Sequence, residues 1–268
     1  MGSLNLSEKG EKLIELYDSM VAEGYDRADG TNINDVYNDF ELRKFRNIVL
    51  PYFKEHEIKS VLDYGCGGSD WEMLSFDEGT GKSAKDFFNL DAVSYYEPAR
   101  GLDQRQKVDC VSCFDVLEHV FISDVATVLR DILSYAQKLV VINIACYDSA
   151  AMLPNGENAH ITVRDPMWWK GILDSISIDF PAINVLLLAS PGYRSAQVFE
   201  LWNATNWSES QNFKINVITP GLVGEIPPEK FSLNKDQLLK FNDALLSQDP
   251  TYTIELIDLL KKRFNGKL

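Results

Sequence analysis

Carboxylates and histidines with the types and placing to do chemistry gather in the first two thirds of this chain. Asp63 stands two residues before Gly65 in "SVLDYGCGG", Glu97 closes "AVSYYEP", and "DVLEH" runs from Asp115 through Glu118 to His119. Each follows a short apolar run, the pattern of a buried β-strand that ends where an α/β sheet opens its ligand crevice. Aligned on one sheet edge, these acids form an anionic rim that favours a cationic group and repels phosphate. His160, in the polar stretch "LPNGENAHITVRDPMWW", and His119 add imidazoles, whose ordinary pKa near neutrality suits a general base toward an incoming hydroxyl. His160 is the first choice as base, His119 the second, and Glu118 would orient one of them. His56, the remaining histidine, follows a helical stretch and is expected at the surface. Asp115, Glu118, His119 and His160 also make a mixed oxygen and nitrogen set that could take Mg²⁺, Mn²⁺ or Zn²⁺. Carboxylates beside a ligand more often only organise it, so the expected site has no metal.

Two glycine turns compete for the ligand. The second, Gly79-Thr-Gly81-Lys82-Ser83, suggests a phosphate loop, but Phe76 stands where its first glycine is required and Asp77 and Glu78 would repel a polyphosphate. It reads as a solvated loop. The first, Gly65-Cys66-Gly67-Gly68, directly follows a strand. It has the opening of a dinucleotide fingerprint, but Asp70 occupies the third glycine position, which argues against a nicotinamide dehydrogenase. Glu97 ends the next strand, where an acidic residue commonly bonds ribose hydroxyls. The ligand so described carries an amine and a ribose but no phosphate, which fits S-adenosylmethionine.

These residues need a frame. Apolar spacings of three and four predict helices within 8–56, interrupted by the polar loop "DRADGTNIN". From there, "KSVLDYG", "AVSYYEP", "VDCVSCFDV" and "KLVVINIAC" read as strands, the last apolar on both faces like a central parallel strand. A helix over "FISDVATVLRDILSYAQ" with Ser123 as cap, and another opened by Asp165-Pro166, alternate with them. Two adjacent strands, "SISIDFPAINVLLLAS" and "SAQVFELWNATN", predict a closing antiparallel hairpin. Strand and helix in alternation argue for an α/β fold with a parallel sheet. Residues 1–58 are expected to form an N-terminal helical lid, 59–208 the core and 209–268 a helical extension of the same unit, capped by Asn234 and able to serve as a homodimer surface.

Composition narrows the functions. The 268 residues carry a formal net charge of −14, against a nucleic-acid binder that works through a basic surface. No apolar run reaches the ~18 residues of a membrane span, and no leader is evident. Cys110 and Cys113 form a CxxC on a strand, where residues three apart face opposite ways. Four reduced cysteines and a cytoplasmic location are therefore expected.

At these positions the chain resembles the class I S-adenosylmethionine-dependent methyltransferases over roughly residues 60–200. "VLDYGCG", "YYEPA" and "DCVSCFDVLEHV" are similar to three of the family's motifs, in order. The resemblance implies a Rossmann-like three-layer sandwich with a seven-stranded, mostly parallel sheet and an antiparallel last strand. It implies that Asp63, Gly65 and Gly67 cradle the methionine end and Glu97 the ribose. Tyr64, Cys66, Trp71, Pro98, Phe114, Asp115 and Val116 would lie beside the cofactor. Asp103 is the only acidic residue before Asp109 that could reach adenine, because eleven residues between Glu97 and Asp109 leave no room for a full helix and strand. The implied activity is methyl transfer to an oxygen or nitrogen of a small polar acceptor, such as a sugar or sugar-derived metabolite, with S-adenosylhomocysteine as product. The alternative is a non-catalytic S-adenosylmethionine-binding partner or regulatory protein. Some ubiquinone-pathway and small-RNA methyltransferases, which the DVLEH stretch with His160 also resembles, use a metal.

Overall fold

The computed structural model describes residues 4–33, 41–77, 79–193 and 195–201, and the backbone of 213–216. The chain divides into two units at Pro220, and all described residues fall in the first. Apart from 213–216, the helical extension expected over 209–268, with its Asn234 cap, lies outside the described residues.

The chain runs α1 (Glu8–Glu23), β1 (Tyr25–Asp26), β2 (Asn32–Ile33), α2 (Leu42–Glu55), β3 (Ser60–Tyr64), α3 (Ala84–Phe88) and β4 (Ala92–Glu97). It continues through β5 (Leu102–Asp103), β6 (Val108–Phe114), α4 (Val125–Tyr135), β7 (Ala136–Ala145), α5 (Pro166–Ser177), β8 (Asn184–Gly192), β9 (Ser195–Leu201) and β10 (Phe213–Asn216). The main sheet has the order β10-β9-β8-β7-β6-β3-β4-β5. β3, β4, β6, β7 and β8 are parallel, whereas β9 and β10 run antiparallel at one end. Seven of these strands are four residues or longer, and β5 is a two-residue antiparallel stub at the other edge. The expected mostly parallel sheet with a reversed end is present. The short span after Glu97 has the predicted consequence: it holds only a 3-10 turn, Pro98–Arg100, and β5.

Helices cover both faces, giving three layers. α4 and α5 pack Val128, Leu129, Ile132, Trp169 and Leu173 against Leu62, Val111, Val140 and Leu187. α2 and α3 pack Phe45, Val49, Phe53 and Phe88 against Val61, Cys110, Val141 and Leu186. Alternate strand residues serve opposite layers, as the pleat requires. Cys110 and Cys113 therefore sit in different layers, and all four cysteines are free thiols.

The N-terminal helices play different parts. α1 packs Leu13 and Met20 against Leu153 and Ala159 of the segment after β7. α2 does not belong to a lid: its stripe Leu42, Phe45, Val49 and Phe53 is buried on the sheet. His56, the C-cap residue of α2, is half-buried rather than at the surface. α5 begins as expected, with Asp165 accepting from Met167 and Trp168 amides and Pro166 at its first position. α4 differs: Asp124, not Ser123, is its N-cap, and that carboxylate is spent on Ser7. Among the described residues, no helix is long and apolar enough to cross a membrane.

Candidate active site

The glycine turn after β3 is built by backbone geometry. Gly65 has φ +74° and Gly67 +53°, a region that glycine enters without cost. The amides of Gly65 and Cys66 both donate to the Tyr96 carbonyl, at 2.7 and 3.1 Å. A Cβ on Gly65 would lie 2.4 Å from Val116 Cγ2, so the turn and the end of β6 meet with no room between them. Parallel registry sets Asp63 beside Tyr95 and Ser112, and so brings the carboxyl ends of β3, β4 and β6 to one edge.

That edge opens into a cavity of about 610 Å³. Asp63, Tyr64, Gly65, Cys66, Gly67, Glu97, Pro98, Phe114, Asp115, Val116, His119 and His160 all contribute to its wall. The sequence-predicted set is thus brought together, with three exceptions. Trp71 is fully buried and acts from behind, its Nε1 donating 2.8 Å to Asp63 Oδ2. Asp103 does not line the cavity and is bound to Arg105 through Nε–H and Nη2–H donors, at 2.9 and 2.7 Å. The stub β5 turns the chain back too early for that carboxylate to reach the crevice. Glu118 is entirely buried and does not line the cavity. Its Oε1 accepts from the Ala145 amide and its backbone carbonyl accepts from the Thr162 amide, while Oε2 has no hydrogen-bond partner among the described residues. It bonds neither imidazole, so the expectation that it orients one is overturned.

The two rim acids sit in low dielectric. Asp63 is 5% exposed, and burial pushes its pKa up to about 7, with Glu97 adding to the rise and the Trp71 donor opposing it. Burial also raises Glu97, although its oxygens accept from the amides of Gly67 at 2.8 Å and Ala99 at 3.1 Å. Glu97 therefore braces the glycine turn as well as facing the cavity. A cation entering here would be stabilised by charges that water no longer screens. Cys66 is no nucleophile, since burial pushes its thiol up to about 12.

Backbone carbonyls orient both histidines. His160 Nδ1 lies 2.6 Å from the Tyr147 oxygen, so it carries the proton and leaves Nε2 bare. Nε2 is 4.0 Å from Asp115 Oδ1. His119 Nδ1 lies 3.0 Å from the Ala159 oxygen and 2.6 Å from the Tyr17 hydroxyl, which itself donates 2.8 Å to Ala159. Burial lowers the His119 pKa to about 4, with Asp115 opposing the drop and the neighbouring His160 adding to it, so the ring is neutral at neutral pH. Asp115 adopts φ +57°, a left-handed conformation that costs a non-glycine residue about 1–3 kcal/mol and is typical of functional sites.

Ligand atoms of Asp115, His119 and His160 all lie within 4.8 Å of one another. Two imidazoles with Nδ1 held by backbone oxygens, plus one carboxylate, fit a divalent cation of the zinc, manganese or iron type. Sequence reasoning missed the roles of Tyr17, Ala159 and Tyr147 in setting these rings. Two of those three act through backbone oxygens, which leave no residue-type signal.

The chain matches no known family model, and no curated protein matches it.

Proposed function

We propose that this protein transfers a methyl group from S-adenosylmethionine to an oxygen or nitrogen of a small polar acceptor, such as a sugar or sugar-derived metabolite. One observation carries the reading: two carboxylates, the buried Asp63 and the half-buried Glu97, flank a left-handed glycine turn on the wall of one large cavity. Such a wall is matched to a cationic, unphosphorylated nucleoside and mismatched to a dinucleotide. The bound cofactor supplies an electrophilic methyl group on a sulfonium centre.

The chain's own residues then have three tasks. Asp63 and the glycine turn receive the ammonium end, while Glu97 accepts from ribose hydroxyls with the lone pairs that the Gly67 and Ala99 amides leave free. α1 and the segment after β7 wall the site against water, which favours an aligned displacement. The Asp115, His119 and His160 cluster activates the acceptor.

That cluster can act in two ways. As a base, His160 takes the acceptor proton on Nε2, with Asp115 stabilising the imidazolium. As ligands, the three residues hold a divalent cation, which would lower the pKa of an acceptor hydroxyl. The convergence of three donors within 4.8 Å favours the second role.

Calorimetric titration with S-adenosylmethionine, S-adenosylhomocysteine and NAD tests the reading. Binding of the first two, with Asp63→Ala abolishing it, is expected. Binding of NAD alone would sink the proposal. Tight binding without any S-adenosylhomocysteine formed, over a broad acceptor panel, would convert the protein into a non-catalytic sensor or partner.

A further inference from the structure

One wall of the cavity is a helix, and that helix touches a histidine. Gly10, Leu13, Ile14, Tyr17 and Val21 of α1 line the cavity. The helix is pinned at two places. At its start, the Ser7 amide and hydroxyl donate to Asp124 at 3.0 and 2.7 Å, and the hydroxyl caps Gly10. In its third turn, Tyr17 reaches 102 residues along the chain to His119 and also bonds the Ala159 carbonyl. The two rings meet edge to face, with centroids 5.4 Å apart.

We propose that Tyr17 couples the seating of α1 over the cavity to the tautomer of His119, so that this imidazole presents a bare Nε2 only when the wall is closed. The purpose of the coupling rests on the methyl-transfer reading, but its geometry does not.

A neutral imidazole has one N–H to place. With α1 seated, two oxygens face Nδ1, those of Tyr17 and Ala159. The phenol spends its own hydrogen on the Ala159 carbonyl. An Nδ1 lone pair there would confront two oxygens without a hydrogen between them, so the proton belongs on Nδ1. Nε2 is then left as the lone pair of a ring that stands in the cluster with Asp115 and His160, the His160 ring centroid lying 4.8 Å from that of His119. With α1 lifted, one of the two oxygens leaves and water reaches the ring. Either nitrogen can then carry the proton, and the lone pair that the cluster needs is no longer assured. His160 has no such dependence, because its Nδ1 partner is the Tyr147 carbonyl at 2.6 Å. It is an internal control.

The consequence is an order of events. Acceptor activation requires three groups with lone pairs turned inward, and one of them is set by the wall that closes over the ligand. A site left open to water is left with an unset His119.

The chain has three histidines, few enough for nitrogen-15 NMR of the imidazoles of the full chain at near-neutral pH. The ligand-free wild type is expected to show His119 as a single Nδ1–H tautomer. Tyr17→Phe, which keeps the ring and loses one hydroxyl, is expected to show mixed tautomers at His119 with His160 unchanged. Ser7→Ala loosens the far end of α1 without touching His119. It is expected to show the same mixing without ligand and to return to the single tautomer with saturating S-adenosylhomocysteine. A His119 signal in Tyr17→Phe identical to wild type would mean that Ala159 alone sets the ring, and would overturn the proposal. A parallel change at His160 would mean general loosening, and would overturn it equally. Ser7→Ala that keeps one tautomer without ligand would overturn the link to helix seating. Failure of S-adenosylhomocysteine to bind any variant would count against methyl transfer, while the ligand-free Tyr17→Phe comparison still decides the coupling.

Discussion

The indole Nε1 of Trp71 donates 2.8 Å to Oδ2 of Asp63 inside the protein, eight residues along the chain. That bond opposes two forces that push the carboxyl toward neutrality, burial and the charge of Glu97. The result is an acid at the ligand wall with a pKa of about 7, held where the arrival of a cation changes its state.

Affinity for S-adenosylmethionine should therefore depend on pH through Asp63. The ionised form attracts the ammonium group and the protonated form does not. Below pH 7 the affinity should fall by about tenfold per unit, and above it the dependence should flatten. Asp63→Asn should bind more weakly and lose this slope. Isothermal titration from acid to alkaline pH checks both. The stability of the free protein runs the other way. A carboxyl raised in the folded state contributes stability that is present below its unfolded pKa and lost as pH rises through the folded value. Asp63→Asn should thus gain on wild type in melting temperature between about pH 4 and 7.

Gly65 tests the glycine turn without touching a charge. Gly65→Ala must place a side chain at φ +74° and within 2.4 Å of Val116 Cγ2. Strain of this kind costs about 1–3 kcal/mol, and the clash adds to it. The variant should melt lower and bind cofactor poorly. Adding Val116→Ala removes the clashing Cγ atoms but not the strained backbone, so the double variant should recover part of the melting temperature and not all of it. Full recovery would show that the left-handed turn carries no cost here.

What the sequence disclosed, and what it hid, follows from which physics leaves a mark on residue type. Strands β3, β4, β6 and β7 were legible because each is an apolar run with a clear stop, and the glycine or acid that ends the first three located Asp63, Glu97 and Asp115. The stripe of α2 revealed a buried face but not what buries it, so a helix of the sandwich read as part of a lid. α3 went unread, since its five residues follow an acidic, glycine-rich loop. Asp103 and Glu118 carry suitable side chains in suitable stretches, yet Arg105 claims one and the interior the other. Each imidazole has a backbone partner, 13 residues away for His160 and 40 for His119, that bonds through a carbonyl oxygen. Any residue could provide those.

The cluster beyond the rim should separate chemistry from binding. His160→Ala and Asp115→Asn should each lower kcat by about 10²–10⁴, because they remove the groups that activate the acceptor. The KM for S-adenosylmethionine should barely move, since its carboxylate partners lie on β3 and β4. Chelation by EDTA should abolish turnover, and added Mn²⁺ or Zn²⁺ should restore it, if the three donors act as ligands as their spacing favours. Turnover that survives exhaustive chelation would assign His160 as the base. The same His160→Ala loss would then remain in the presence of any ion.

Glu118 should prove a structural acid. Burial, with Asp115 adding to it, raises its pKa well above the ordinary carboxylate value, and its Oε1 accepts from the Ala145 amide. Glutamine matches the side chain in shape and keeps that acceptor oxygen. Glu118→Gln should change stability by less than about 1 kcal/mol and leave kcat near wild type. Glu118→Ala should cost several times more, because it strands a buried amide, worth about 1–3 kcal/mol, and opens a void at the end of β7. Thermal melts and steady-state rates of the two variants distinguish this role from a catalytic one, for which the glutamine variant would lose activity while keeping its melting temperature.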